Sequence, residues 1–116
     1  MNFLFILNDP PYGTERSYNG LRHAISVAKQ PDTEVKVFLI GDAAACAKMG
    51  QKTPNGYYNI ERMLKSANIK GIEVGVCGTC MDARGITDTE LAEPSKRSSL
   101  DQLTEWTIRA DKVITY

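Results

Sequence analysis

Residues 3–7 read FLFIL, a run in which every side chain is apolar. A strand with one face in water alternates apolar and polar residues, whereas an unbroken apolar run is typical of a strand covered on both faces. Strands of that kind occur in parallel sheets that carry helices on both sides. The run therefore predicts a central strand of an α/β protein.

Two further strand-like segments, residues 34–40 (EVKVFLI) and 72–76 (IEVGV), alternate with segments of helical apolar spacing. The polar stretch around Lys96 and Arg97 predicts a short edge strand, and residues 112–116 (KVITY) predict a final strand. Strands that alternate with helices indicate an α/β sandwich with a mainly parallel sheet and right-handed crossovers.

Capping residues predict where the helices begin. Thr14 or Ser17 is expected to cap the first helix, and Asp42 a short alanine-rich helix. Helical spacing recurs from about residue 60 to 69, where Gly71 is expected to end the helix. Thr87 with Glu90 and Ser99 with Gln102 have capping-box spacing. The predicted buried stripe of the last helix is Leu100, Leu103, Thr107 and Ala110.

Length and charge limit the function classes. A chain of 116 residues is expected to form one domain, residues 1–116. Lys and Arg together number 14, as do Asp and Glu, which disfavours a nucleic-acid partner. The first apolar run is too short for a signal peptide or a membrane span. Three cysteines, an odd number, are expected to be free thiols, so we expect a cytoplasmic protein without membrane contact.

Two of those cysteines form a C-x-x-C motif, Cys77 and Cys80, directly after the third predicted strand. Ligands of parallel sheets gather outside the carboxyl ends of the strands. Asn8 and Asp9 follow the first strand, and Asp42 follows the second. The motif is therefore expected at the functional edge of the sheet.

Zinc needs about four ligands, and the motif supplies two. Cys46 and His23 are the remaining soft ligands, and they do not form a second closely spaced pair. We therefore expect no metal site within the chain and no cofactor, although a metal shared between subunits stays open. Cys46, which follows three alanines, is expected to be packed and inert.

Three interpretations of the motif remain. In a dithiol redox pair, C-x-x-C spacing lets the two sulfurs meet, but Gly85 interrupts any long helix that starts at Cys80. In a persulfide carrier, Cys77 is a nucleophilic thiolate, with Arg84 and the amides left open by Gly78 favouring the anion. In the third, Cys77 only fills space at the end of a strand.

Five stretches lie in order over nearly the whole chain: NDPPYGTERSYNGLR, VFLIGDA, GQKTPNGYYNIERML, VGVCGTCMDARGI and EWTIRADKVITY. Together they resemble the DsrE family of small sulfur-relay proteins, and within it the YchN-like subgroup. Such coverage is far more specific than an isolated C-x-x-C motif.

The resemblance implies a three-layer α/β/α sandwich with a mainly parallel five-stranded sheet, assembled as a homo-hexamer built from trimers. It also implies that Cys77 carries a persulfide and hands it to a small sulfur-carrier protein. Cys80 matches the second cysteine of the YchN-like subgroup, without an implied role. Tyr57, Tyr58 and Trp106 are expected at subunit contacts.

The leading hypothesis is a sulfur-relay or persulfide-carrier protein, a sulfurtransferase if it is an enzyme. Its expected catalytic residues are Cys77 as nucleophile, Cys80 as the thiol that releases the sulfur or protects the site, and Arg84 as an anion-stabilising group. The alternatives are a thiol-disulfide redox protein and a non-enzymatic oligomeric module that binds a small ligand.

Overall fold

The computed structural model describes residues 1–116 and contains one five-stranded sheet in which every neighbouring pair is parallel. The strands are β1 Asn2–Leu7, β2 Glu34–Leu39, β3 Glu73–Cys77, β4 Ser95–Ser98 and β5 Lys112–Thr115. Their order across the sheet is β4-β3-β2-β1-β5. The predicted α/β fold, the apolar first strand inside the sheet and the edge strand at Lys96 and Arg97 are confirmed.

Four α-helices connect the strands: α1 Arg16–Ala28, α2 Ile60–Ile69, α3 Gly78–Ala83 and α4 Leu100–Arg109. Two 3₁₀ segments, Gly41–Ala47 and Asp88–Glu90, follow β2 and α3. Residues 49–56, predicted as a loop, contain no helix or strand. None of the helices combines the length and the apolar character that crossing a bilayer requires.

The two faces of the sheet are covered unequally. One face buries 19 residues of a large core, in which side chains of the inner strands meet α1 and α2, with Phe5, Val37, Leu21 and Leu64 among the least exposed. The other face buries only Leu4, Phe38 and Trp106, beneath α4. The second face is therefore thinly covered, and space remains beside α4.

The buried stripe predicted for the last helix is confirmed for Leu103 and Ala110, which pack against the small cluster, but is wrong for Leu100 and Thr107. Leu100 is 71% exposed and Thr107 is exposed, whereas Trp106 is 9% exposed. The indole packs edge-on against Phe38, with ring centroids 6.2 Å apart, and lies over Gly75, where a Cβ would be 3.2 Å from its Cη2 atom. This large ring sets the rotation of α4, and Trp106 is buried within the subunit.

Two predicted caps are also wrong, whereas others are confirmed. The Thr14 and Ser17 hydroxyls both donate to Asp9. Thr14 also accepts a long hydrogen bond of 3.4 Å from the Arg16 amide, but the capping position of α1 is Glu15, which makes no side-chain cap. Asp42 lies inside the 3₁₀ segment, where its carboxylate pairs with Arg84 instead.

The confirmed caps lie in the second half of the chain. Ser99 accepts a hydrogen bond from the Gln102 amide at 3.2 Å, and Glu90 accepts one from the Thr87 amide at 2.9 Å. Gly71 follows α2 with a φ of 74°, a value that glycine adopts without strain.

Candidate functional site

The C-x-x-C motif spans the junction between β3 and α3, at the carboxyl end of the sheet. Cys77 is the last residue of β3 and caps the first turn of α3. Its sulfur accepts a hydrogen bond from the Cys80 backbone N–H at 3.3 Å and lies 3.3 Å from the Thr79 hydroxyl, in hydrogen-bonding geometry. The strand-to-helix turn therefore aims two donors at one sulfur.

These donors make Cys77 the more acidic thiol of the pair. Partial burial raises the pKa of the Cys77 thiol, but hydrogen bonds from the side chains and amides of Cys80 and Thr79 outweigh burial and lower it below the usual value. A lowered pKa increases the fraction of thiolate at neutral pH, and the thiolate is the nucleophilic form.

Cys80 has the opposite character. Its partial burial and its hydrogen bond with Cys77 raise the pKa of its thiol, although the Gly41 amide, which donates to its sulfur at 3.2 Å, acts in the opposite direction. Cys80 packs against the large core, whereas Cys77 packs against the small cluster beneath α4. The two thiols are therefore unequal in both acidity and surroundings.

Arg84 lies beside Cys80 rather than at the sulfur of Cys77. Its guanidinium donates to Asp42 Oδ1 at 2.6 and 3.2 Å and to the Cys80 carbonyl at 3.0 Å. It makes no hydrogen bond to either sulfur, and its charge lowers the pKa of Cys80. The sequence thus predicts the proximity of Arg84 to the motif, but the structure places its direct contacts on the backbone and on Asp42.

Arg97 is a residue that the sequence analysis missed. From β4, its guanidinium donates to the Gly78 carbonyl at 3.1 Å, to Asp82 at 2.9 Å and to Asp88 at 2.6 Å. These two carboxylates raise the pKa of the guanidinium above its already high value. The sequence contained one signal for this residue. Arg97 is a basic residue in the predicted edge strand that follows the C-x-x-C motif in the chain.

Gly78 has a different role from the one predicted. A Cβ at this position would lie 2.9 Å from Arg97 Nη1 and 3.0 Å from the Ser98 carbonyl oxygen. The first distance is shorter than real Cβ atoms show, and the second is tighter than nine in ten real Cβ contacts. The glycine therefore lets the first turn of α3 pack directly against the end of β4, which positions the donors around Cys77.

A cavity of about 580 Å³ opens at this end of the sheet, on the α4 side. Cys77, Cys80, Thr79 and Arg97 are part of its lining. Apolar side chains supply much of the remainder, namely Phe38, Ile40, Leu100 and Leu103. Volumes of 300–1,000 Å³ are typical of small-molecule sites. A larger groove of about 630 Å³ runs along β3 and β4, and no cysteine lines it.

The third cysteine, Cys46, is packed in the core, as predicted. It is 1% exposed, and burial raises the pKa of its thiol to about 12. Its Sγ donates weakly to the Asp9 carbonyl, 3.7 Å away. A neutral, enclosed thiol of this kind has neither the charge nor the access that sulfur chemistry needs.

Asn8 and Asp9, which were expected at this edge, make no hydrogen bond to Cys77 or Cys80. Asn8 donates to the Tyr116 carbonyl, and Asp9 accepts hydrogen bonds from the Thr14 and Ser17 hydroxyls. The loop after β2 does contact the motif, because the Gly41 amide donates to the sulfur of Cys80 and Asp42 binds Arg84.

Comparison with known proteins gives one consistent result. The model of the DsrE/DsrF-like family matches residues 1–116. Protein YchN of Escherichia coli is 37% identical over 114 residues, 97% of each chain, and the uncharacterized protein MJ0989 of Methanocaldococcus jannaschii is 34% identical over the full length of both. The crystal structure of the E. coli ychN protein superposes with a TM-score of 0.94 at 36% identity, covering 100% of this chain and 99% of that one.

Proposed function

The chain belongs to the DsrE/DsrF-like family, and from that premise we propose that it is a sulfur-relay protein that carries a sulfane sulfur as a persulfide on Cys77. The observation that carries the proposal is the position of the Cys77 sulfur. This sulfur accepts a hydrogen bond from the Cys80 amide and lies beside the Thr79 hydroxyl. Cys77 also lines a cavity large enough for a small molecule. Cys46 lacks both features.

Loading is a two-electron exchange that needs no external oxidant. The Cys77 thiolate attacks the outer sulfur of a donor persulfide, R–S–SH, so that a new S–S bond forms on Cys77 and the donor's S–S bond breaks. The donor leaves as the thiolate RS⁻ with the electron pair, and the proton stays on the outer sulfur. Transfer to an acceptor thiolate is the same exchange in the other direction.

Cys80 supplies a second route for the bound sulfur. Its thiol loses a proton and attacks the inner sulfur of the Cys77 persulfide, which forms a Cys77–Cys80 disulfide and releases the outer sulfur as hydrosulfide. The raised pKa of Cys80 keeps this attack slow at neutral pH. Cys80 then protects the site, and an external dithiol has to reduce the disulfide before the next cycle.

The test is to load the reduced protein with inorganic polysulfide, a donor small enough for any accessible thiol, and to measure the intact mass. We expect a gain of one sulfur atom in the wild type and in Cys46→Ala, and no gain in Cys77→Ser. Cys80→Ser should keep the added sulfur for longer than the wild type, because the internal attacking thiol is missing. No gain in the wild type would overturn the proposal.

A thiol-disulfide redox function is the second candidate, and the pairing of the two cysteines favours it. The hydrogen bonding between Cys77 and Cys80 raises one thiol pKa and lowers the other, an arrangement that dithiol oxidoreductases also use. This function predicts a loss of two hydrogens upon oxidation, dependent on both cysteines, and a reduction potential in the range of catalytic dithiols. If that potential is found without sulfur loading, the redox function replaces the relay.

We also propose that the protein works in the cytoplasm as a homo-hexamer built from trimers and passes its sulfur to a small sulfur-carrier protein. Free cysteines suit a reducing compartment. Exposed apolar side chains on α4 and β5 support an assembly, because burying them against other copies removes them from water. They include Ile108, which is 77% exposed, and Val113, which is 44% exposed.

A further inference from the structure

The charged groups around the cavity are already paired. Arg97 is the one cation in its lining, and its guanidinium is bound by Asp82 at 2.9 Å and Asp88 at 2.6 Å, with the third contact on the Gly78 carbonyl. Asp82 is the one anion in the lining and belongs to that pair. The cavity therefore offers no free positive charge to an incoming anion.

Another part of the cavity lining is apolar. Phe38 lies near the end of β2 and Ile40 follows that strand, and Leu100 and Leu103 belong to the first turns of α4. Leu100 is 71% exposed at the rim, whereas Phe38 is buried at the base. A multiply charged anion would lose hydration beside these side chains without gaining an ion pair, whereas an apolar group would be removed from water.

From this division we infer that the cavity takes a sulfane-sulfur donor that carries an apolar organic group, in preference to the inorganic thiosulfate dianion. The inference rests on the proposed persulfide chemistry at Cys77, and it adds the class of donor. The organic group packs between Leu100, Leu103 and Ile40 and directs the donor's outer sulfur toward Cys77. The apolar side chains of the cavity, and not the cysteine, then determine which donor reacts faster.

Two thiosulfonate anions test the inference directly. Methanethiosulfonate and benzenethiosulfonate have the same charge and the same type of leaving group, but differ in apolar size. In both, the Cys77 thiolate attacks the outer sulfur, the S–S bond of the donor breaks, and a sulfinate leaves with the electron pair. Thiosulfate, which releases sulfite in the same step, is the dianionic third donor.

The measurement is the rate at which Cys77 gains one sulfur atom at low donor concentration, divided by the rate for N-acetylcysteine with the same donor. We expect benzenethiosulfonate to exceed methanethiosulfonate by about tenfold, the ratio that results when about 55 Å² of apolar surface leaves water. Thiosulfate should be slower than both. Equal normalised rates for the three donors would overturn the inference.

Substitutions on α4 test whether its apolar side chains cause the preference for an apolar donor. Leu100→Lys places a free cation at the rim, and we expect it to speed loading from thiosulfate and to lower the preference for the benzene compound by threefold or more. Thr104→Lys is the matched control, because Thr104 is exposed on the same helix but does not line the cavity. Equal effects of the two substitutions would show that the apolar side chains of α4 do not select the donor.

Loading with inorganic polysulfide distinguishes a failure of the inference about the donor from a failure of the proposed relay function. If polysulfide loads Cys77 but the organic donors show no preference, the inference about the donor is wrong and the relay function stands. If polysulfide does not load Cys77, the relay function itself is wrong.

Discussion

The backbone N–H of Cys80 donates a hydrogen bond of 3.3 Å to the sulfur of Cys77. The backbone of Cys80 therefore stabilises the thiolate of Cys77. The sulfur of Cys80 accepts a hydrogen bond from the Gly41 amide at 3.2 Å. Both bonds depend on the short helix α3, which begins directly after β3. The turn therefore gives the two thiols different hydrogen-bond partners, and the pKa of Cys77 is lowered while that of Cys80 is raised.

Thr79 is expected to contribute to the reactivity of Cys77. Its hydroxyl lies 3.3 Å from the sulfur, and hydrogen bonds from Thr79 are among the causes that lower the pKa of Cys77. Thr79→Val removes a donor to the thiolate and raises that pKa. We expect the rate of Cys77 alkylation by iodoacetamide at pH 7 to fall by roughly two- to fivefold.

Thr104→Val is the control for this substitution, because Thr104 is exposed on α4 and makes no side-chain hydrogen bond. The alkylated residue is identified in each variant by fragmenting the peptide that contains both Cys77 and Cys80 and measuring the fragment masses. An unchanged rate in Thr79→Val would show that the hydroxyl does not bind the thiolate in solution.

The buried thiol of Cys46 is expected to lower the stability of the protein at alkaline pH. Burial raises the pKa of its thiol from an ordinary value of 9.0 to about 12, so above pH 9 the unfolded chain releases this proton while the folded chain keeps it. The unfolded state then binds fewer protons, and stability falls as the pH rises. We expect Cys46 to reduce the free energy of unfolding by about 1.3 kcal/mol between pH 8 and pH 10.

Urea denaturation of wild type and Cys46→Ala, in the presence of a reductant, measures this contribution. The alanine variant loses packing at all pH values, which adds a constant offset, but it should lose less stability between pH 8 and pH 10 than the wild type does. Stopping at pH 10 limits the contribution of Tyr58, whose pKa is raised to about 12. Parallel curves for the two proteins would contradict the prediction.

The architecture could be predicted from the sequence because local signals and burial agree. The unbroken apolar run at residues 3–7 identifies a strand covered on both faces, and helical spacing gives α2 its bounds, Ile60–Ile69. The prediction for α4 was wrong at Leu100 and Thr107 for a tertiary reason. Trp106 fits over Gly75, and this contact between distant residues outweighs the helical spacing that placed those two residues on the buried face.

The candidate site was predictable only where residues are close in sequence. The position of Cys77 at the end of a strand follows from the apolar residues before it. In contrast, the contacts of Arg97 with Gly78 and Asp82 cross from β4 to α3, over 15–19 residues. Asp42 and Arg84 are 42 residues apart. No local pattern specifies such pairs, because they exist only when the parallel strands are aligned.

Arg97 is expected to act on Cys77 as a positioning residue. Arg97→Gln releases the Gly78 carbonyl and leaves Asp82 and Asp88 unpaired, so the turn that holds the Cys77 donors loosens. We expect the pH profile of Cys77 alkylation to shift to higher pH, with a rate at pH 7 lower by roughly threefold. Arg97→Lys should restore only part of the rate, because an ammonium cannot bridge three acceptors in a planar fork.

Arg109→Gln is the matched control, since Arg109 forms an exposed pair with Glu105 on α4, away from the thiols. A purely structural role for Arg97 would lower the denaturation midpoint but leave the pH profile of Cys77 unchanged. That outcome would contradict a positioning role.

The proposed assembly predicts the mass of the particle in solution. Light scattering at micromolar concentration should give six copies of the 12.8-kDa chain. Apolar side chains such as Ile108 and Ile69, which are 77% and 82% exposed in the single chain, give a physical reason for association. A monomer that persists over the concentration range would contradict the hexamer, although it would leave the chemistry of Cys77 untouched.

Gly78→Ala tests the close packing between α3 and β4. The new Cβ would meet Arg97 Nη1 at 2.9 Å and the Ser98 carbonyl oxygen at 3.0 Å, so the guanidinium has to shift and the turn has to move slightly away from β4. We expect a loss of about 1–3 kcal/mol in the free energy of unfolding, measured by urea denaturation.

The same substitution in an Arg97→Ala background separates the two contacts. Without the guanidinium only the Ser98 carbonyl oxygen opposes the Cβ, so Gly78→Ala should cost less in this background than in the wild type. Residues in contact give such non-additive effects, whereas independent sites add. Equal costs in the two backgrounds would show that the backbone of Ser98 alone excludes a side chain at this turn.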